Sequence, residues 1–224
     1  MSSVHALLFD LDGTLVDTLP DITTAANHAL QHLGRAPVSA ERVRRLVGRG
    51  AANLLMHLLE LQDPSNPLVQ AGVACFLDEY ERHPSRHARL YPGIVELLTT
   101  FSQLPKLVIT NKNTHIARLT LEHLGISTAF QGIYGSDAFA QKKPHPLPLL
   151  EGARLLELSP AHLVMIGDSR FDVEAGHAAG MRTLAVSWGF EDRKVLEALH
   201  PTALFDHPSR LSQWIRQEMA SHRS

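Results

Sequence analysis

Short, uninterrupted apolar runs set the rhythm of this chain. His5-Ala6-Leu7-Leu8-Phe9 ends abruptly at Asp10 and is bounded by Gly13, the pattern of a strand buried on both faces. Leu107-Val108-Ile109, Leu163-Val164-Met165-Ile166 and Thr183-Leu184-Ala185-Val186 repeat it. Ahead of these runs the apolar spacing changes to three and four. Residues 94–101 predict one helix, and residues 146–158 predict another through Leu149, Leu150, Ala153, Leu155 and Leu156. Residues 173–179 predict a short helix closed by Gly180. Strands alternating with helices at this pace make an α/β fold, a Rossmann-like core around a mostly parallel sheet.

Residues 17–87 break the alternation, because no run among them reads as a strand. Pro20 suits the first turn of a helix running to Leu33, with Gly34 as its stop. Ser39 offers an N-cap for residues 40–47, and residues 51–61 are apolar and helical. Asp63-Pro64-Ser65-Asn66-Pro67 is a break before a fourth helix over 68–82. An all-helical insert of roughly 70 residues is large enough for a small bundle. The expected division is a catalytic core of residues 1–16 and 88–224 and a cap of 17–87, hinged at 16–19 and 87–92.

Composition narrows the function classes. The 224 residues carry a formal net charge of −2, without the basic surplus that nucleic-acid binding normally shows. The single cysteine, Cys75, excludes an internal disulfide, and no CxxC pair is present for zinc. The 14 histidines include pairs four apart, His28/His32 and His83/His87, but neither pair has a third ligand nearby. No apolar stretch approaches a membrane span and no signal-peptide pattern opens the chain, so a cytoplasmic location is the default. Oligomeric state is not legible.

The chemistry gathers at the strand ends. Asp10 and Asp12 stand two apart, so in extended backbone both carboxylates face one side. Carboxylates that close share a proton or bind a metal. Asp168, in Gly167-Asp168-Ser169-Arg170-Phe171-Asp172, ends another buried strand, and ligand sites of open parallel sheets lie outside such ends. Asp10, Asp12 and Asp168 are thus expected to converge on one hard cation, and oxygen-only donors favour Mg2+ over zinc. Thr110, with Asn111 and Lys112 behind it, and Lys143, beside a predicted helix start, add a hydroxyl and an ammonium. Together these make a phosphoryl cradle. Arg49, in a Gly-Arg-Gly turn between two insert helices, reads either as a solvated turn residue or as a contact for an anionic substrate.

The ordered set Asp10-x-Asp12-Gly13-Thr14, Thr110, Lys143 and Gly167-Asp168-x-x-x-Asp172 resembles the four motifs of the haloacid dehalogenase superfamily, across nearly the whole chain. The resemblance implies Asp10 as nucleophile, forming an aspartyl-phosphate, and Asp12 as general acid/base. It implies Thr110, Asn111 and Lys143 as phosphate-holding groups. The magnesium site would comprise Asp10, the backbone carbonyl of Asp12, and Asp168, with Asp172 as accessory. The second aspartate separates phosphatases from the dehalogenases, which lack it. The insert's position, between the first and second motifs, resembles the C1 helical cap. Within the superfamily the chain is most similar to the bacterial phosphoglycolate phosphatase branch, through Thr110-Asn111-Lys112, Lys142-Lys143-Pro144-His145-Pro146, Gly167-Asp168-Ser169-Arg170 and Ala178-Ala179-Gly180. It departs from that branch at Arg49, where a smaller or neutral residue is usual. The implied partner is a small-molecule phosphate ester, 2-phosphoglycolate first. N-acetylmuramic acid 6-phosphate, a sugar phosphate or pyrophosphate remain open, as do a β-phosphoglucomutase-like mutase and a receiver-type phosphoacceptor domain.

Overall fold

The computed structural model describes residues 3–220. The chain opens with β1 (Ala6–Phe9) and the two-residue β2 (Val16–Asp17), then runs through four helices: α1 (Leu19–His32), α2 (Ala40–Arg44), α3 (Ala51–Leu58) and α4 (Pro67–Arg82). It returns through β3 (Arg89–Leu90) and α5 (Ile94–Thr100) to β4 (Lys106–Ile109), α6 (Thr114–His123) and β5 (Gly132–Tyr134). The remainder is α7 (Leu147–Leu155), β6 (Leu163–Gly167), α8 (Arg170–Ala178), β7 (Arg182–Val186), α9 (Arg193–Ala198), β8 (Ala203–Phe205) and α10 (Pro208–Ala220).

Six strands form one parallel sheet in the order β5-β4-β1-β6-β7-β8. Its central strands are apolar on both faces because helices cover both. Leu7 and Phe9 of β1 join a core with Leu97 of α5, Leu121 of α6 and Leu211 of α10. Ala6 and Leu8 point the other way, to Leu149 of α7 and Ala175 of α8. Alternate burial of this kind makes a continuous apolar run the only sequence that fits a central strand.

The four helices between β2 and β3 have a core of their own. Ala25 and Leu30 of α1, Leu55 of α3, and Val69, Phe76 and Tyr80 of α4 pack together, with Val43 from α2 and Ile116 from α6 of the main body. Two of these helices end earlier than their apolar spacing predicts. Residues 40–47 give way to a turn after Arg44, and residues 51–61 stop at Leu58, with Glu60 at a φ of 59°. In the first case the chain must bend toward the main body, and Gly48, at a φ of 116°, makes the bend. A side chain there would strike the Phe171 ring, its Cβ only 2.7 Å from the nearest ring carbon.

The insert is tied down at its base. β2 and β3 pair antiparallel, Val16 opposite Leu90 and Asp17 opposite Arg89, so the two hinge segments form a small ribbon where no strand was expected. Beside it the buried Asp21 accepts backbone N–H bonds from His87 (3.0 Å) and Ala88 (2.9 Å), closing the start of α1 onto the returning chain. No helix among the described residues is long and apolar enough to cross a membrane.

Asp21→Ala removes both acceptors and strands at least the buried Ala88 N–H. Urea unfolding should show a loss of about 1–2 kcal/mol; a change within about 0.5 kcal/mol would mean the hinge needs no such tie.

Candidate active site

The C-terminal edge of the sheet gathers its polar residues where the strand order places them. β1 and β6 are neighbours, so Asp10 and Asp168 emerge side by side, and the Asp10 N–H donates to the Ile166 carbonyl at 2.9 Å. β4 flanks β1 on the other side and delivers the buried Thr110. The loop after β5 brings in Lys143, 2% exposed.

Lys143 is the hub. Its ammonium lies 3.1 Å from Asp10 Oδ1 and 2.6 Å from Asp172 Oδ1. The other Asp172 oxygen accepts from the Ser169 N–H (3.0 Å) and hydroxyl (2.6 Å), a capping box at the start of α8. That box is why α8 begins at Arg170, three residues before the helix predicted from apolar spacing. Asp168 accepts from the Thr14 hydroxyl at 2.8 Å and from the Phe190 N–H at 2.8 Å. Gly13, at a φ of 81°, lies so close to Asp168 that any side chain would collide with its carboxylate.

The carboxylates of Asp10, Asp168 and Asp172 each place an oxygen within 4.8 Å of the others, all three buried. Burial first, then the Asp172 charge, raise the Asp10 pKa to about 7, against the pull of Lys143. Burial, Asp10 and Asp172 push Asp168 well above the usual carboxylate range. For Lys143 burial favours the neutral amine, but the Asp10 and Asp172 charges outweigh it and raise its pKa. One ammonium cannot balance three carboxylates; a hard divalent cation can, and this all-oxygen donor set suits magnesium. Among the described residues no histidine or cysteine belongs to a metal-sized group.

Here the geometry departs from the expected convergence of Asp10, Asp12 and Asp168. The Asp12 carboxylate is drawn aside by the Thr18 hydroxyl (2.7 Å) and the Lys112 ammonium (3.1 Å), and Asp172 takes the third place in the cluster. Asn111, expected among the phosphate-holding groups, lines the cavity and also ties two segments together. Its amide nitrogen donates to the Gly48 carbonyl (2.7 Å) and to the Lys143 carbonyl (2.9 Å), clasping the insert's turn to the lysine loop. Lys142 adds a bond to the Arg49 carbonyl at 2.7 Å, and Arg44 reaches Phe190 O at 3.0 Å. The exposed Arg49 guanidinium lies 5.1 Å from the Phe171 ring centroid. Lys112 carried no role of its own in the sequence, where it stood only behind Thr110 in Thr110-Asn111-Lys112. Its side chain is 7% exposed.

Between insert and sheet edge lies a cavity of about 870 Å³. Asp10, Asp12 and Thr110 form its floor, Leu54 and Phe76 an apolar wall, and Arg45 and Arg49 part of its cationic rim.

The family model described as haloacid dehalogenase-like hydrolase matches residues 7–186. A phosphoglycolate phosphatase of Chromobacterium violaceum is 38% identical over 203 residues, 88% of this chain and 91% of that protein. Its namesake in Neisseria meningitidis is 38% identical over 86% of this chain and 84% of that protein. Among solved structures, one described as a predicted phosphoglycolate phosphatase from Haemophilus somnus superposes with a TM-score of 0.87 at 26% identity, covering 95% of this chain and 98% of that one. A haloacid dehalogenase-like family hydrolase from Streptococcus pneumoniae does so at 0.85 and 28%, covering 96% and 99%.

The electrostatics make one prediction independent of turnover. Asp168→Asn keeps an acceptor for the Phe190 N–H, lets its amide donate to the Thr14 hydroxyl oxygen instead, and removes a carboxylate from the buried cluster. Without added divalent cation it should melt about 2–4 °C higher than the wild type, and added magnesium should no longer raise that melting point. A lower melting point for Asp168→Asn would show the carboxylates to be well compensated by the protein alone.

Proposed function

This chain belongs to the haloacid dehalogenase-like hydrolases, and from that premise we propose that it is a magnesium-dependent phosphatase of small phosphate monoesters, working through an aspartyl-phosphate on Asp10. The observation that carries the proposal is the Asp10 carboxylate held 3.1 Å from a buried ammonium, with two further carboxylates at hand and Asp12 held apart on its own contacts. A purely structural ion pair has no use for the additional buried charges.

In this reading Lys143 and the Thr110 hydroxyl hold the transferring phosphoryl group against Asp10. Asp10, Asp168 and the Asp12 backbone carbonyl, with Asp172 as accessory, would hold magnesium, which would supply the positive charge that offsets the carboxylates and the phosphoryl oxygens. An Asp10 oxygen attacks phosphorus as the bond to the leaving oxygen breaks, and the Asp12 carboxyl gives that oxygen its proton. Asp12, now a carboxylate, takes a proton from water, whose oxygen attacks the same phosphorus and releases Asp10 and inorganic phosphate. Splitting the displacement in two lets a carboxylate oriented by the fold replace a poorly placed water.

For the substrate we propose 2-phosphoglycolate. Two lines support it: the names carried by the relatives above, and the cationic rim of Arg44, Arg45, Arg49 and Lys142 beside the phosphoryl cradle. A carboxylate on the leaving group suits that rim.

With magnesium present, p-nitrophenyl phosphate should release phosphate, and Asp10→Asn should lower kcat by at least about a thousandfold. Across 2-phosphoglycolate, N-acetylmuramic acid 6-phosphate, sugar phosphates and pyrophosphate, the first should show the highest kcat/KM. Arg49→Ala should cost an anionic substrate about tenfold and p-nitrophenyl phosphate little. Turnover that survives Asp10→Asn would overturn the mechanism, and equal losses on both substrates would remove Arg49 from recognition.

A further inference from the structure

An acid/base that protonates a leaving oxygen and then deprotonates water must keep one side-chain position through two steps. Two contacts fix Asp12. The Thr18 hydroxyl donates to Oδ1 at 2.7 Å, from the chain entering α1. The Lys112 ammonium donates to Oδ1 at 3.1 Å and to Oδ2 at 3.4 Å, from the loop after β4.

Lys112 is itself held from above. Its ammonium lies 4.1 Å from the ring centroid of Tyr80, well within cation–π range. Tyr80 is 1% exposed and belongs to the core of the helical insert through α4. One ammonium thus joins the insert, the loop after Thr110 and the Asp12 carboxylate.

We propose that Lys112 is a positioning residue for Asp12, and that the Tyr80 ring makes this placement depend on the seating of the insert. Lys112 does not hold the transferring phosphoryl group: Asp12 and the Tyr80 ring occupy its ammonium, while Lys143 serves Asp10. When the insert swings on its ribbon, the ring leaves the ammonium, and Asp12 loses one of its two anchors. Protonation of the leaving group is thereby coupled to closure of the cavity. The proposal rests on the acid/base role given to Asp12 above.

The test uses two substrates that need Asp12 unequally. p-Nitrophenolate leaves with little help from an acid, whereas the alkoxide of β-glycerol phosphate needs a proton. Lys112→Met keeps the length of the side chain and removes the charge. It should lower kcat/KM, which reads only the steps up to loss of the leaving group, about 10- to 100-fold for β-glycerol phosphate and less than about threefold for p-nitrophenyl phosphate. Tyr80→Leu should shift the two rates in the same unequal way and add little to Lys112→Met, while Tyr80→Phe, which keeps the ring, should behave as wild type. Equal losses of kcat/KM on the two substrates would overturn the proposal. The Lys112→Met rates decide it even if Tyr80→Leu fails to fold. Wild-type protein that hydrolyses neither substrate would sink the phosphatase reading and this one with it. Wild-type turnover with no substrate split in Lys112→Met sinks this one alone.

Discussion

Everything at the sheet edge depends on one constraint: three buried carboxylates share one buried ammonium. Asp10, Asp168 and Asp172 approach within 4.8 Å, and Lys143 contacts two of them. Such an arrangement is costly unless each group is held and paired. The fold holds them by spending regular structure on it. Parallel β1 and β6 set two aspartates side by side, the capping box of α8 fixes the third, and Gly13 lets the backbone come against Asp168. In the function proposed for the chain, this residual negative charge is what would draw a divalent cation and, through it, phosphate.

The helical insert has a second small core of its own, and several of its attachments to the first are polar. Asp21 closes the hinge, Asn111 clasps the Gly48 carbonyl, and Lys112 meets Tyr80. Hydrogen bonds and a cation–π contact are each worth little singly and break without exposing much apolar surface. That is the kind of join that permits opening for substrate and closing for chemistry. Apolar packing also crosses the join at Ile116, and the Thr120 hydroxyl donates to the carbonyl of Pro84 in the turn after α4.

Much of the frame was legible in the sequence, for a physical reason. Strands buried on both faces allow only apolar side chains, so β1, β4, β6 and β7 announce themselves, and the aspartates that end β1 and β6 stand out against them. The edge strands β5 and β8 are three residues each and half-buried, too short and mixed to form a run, and they passed unnoticed. Apolar spacing misplaced the start of α8, because its first turn is built from Ser169 and Asp172, whose bonds lie inside the site. The spacing of Asp12 from Asp10 put its carboxylate with the metal cluster, whereas the family resemblance gave it the acid/base role and only a backbone carbonyl for the metal. Its true surroundings, Thr18 and Lys112, come from segments 6 and 100 residues away, which a pairwise spacing argument does not reach. Lys112 and Asn111 were invisible as cap contacts for the same reason.

The central claim is that Asp10, placed by β1 and Lys143, becomes covalently phosphorylated during turnover. Quenching the wild-type protein with borohydride during steady-state hydrolysis of p-nitrophenyl phosphate, followed by peptide mass spectrometry, tests this directly, because hydride reduces an acyl phosphate and spares a free carboxylate. Homoserine should stand in place of Asp10, only with substrate and magnesium both present. An unmodified Asp10 in protein that is turning over, or reduction at any other carboxylate instead, would contradict it.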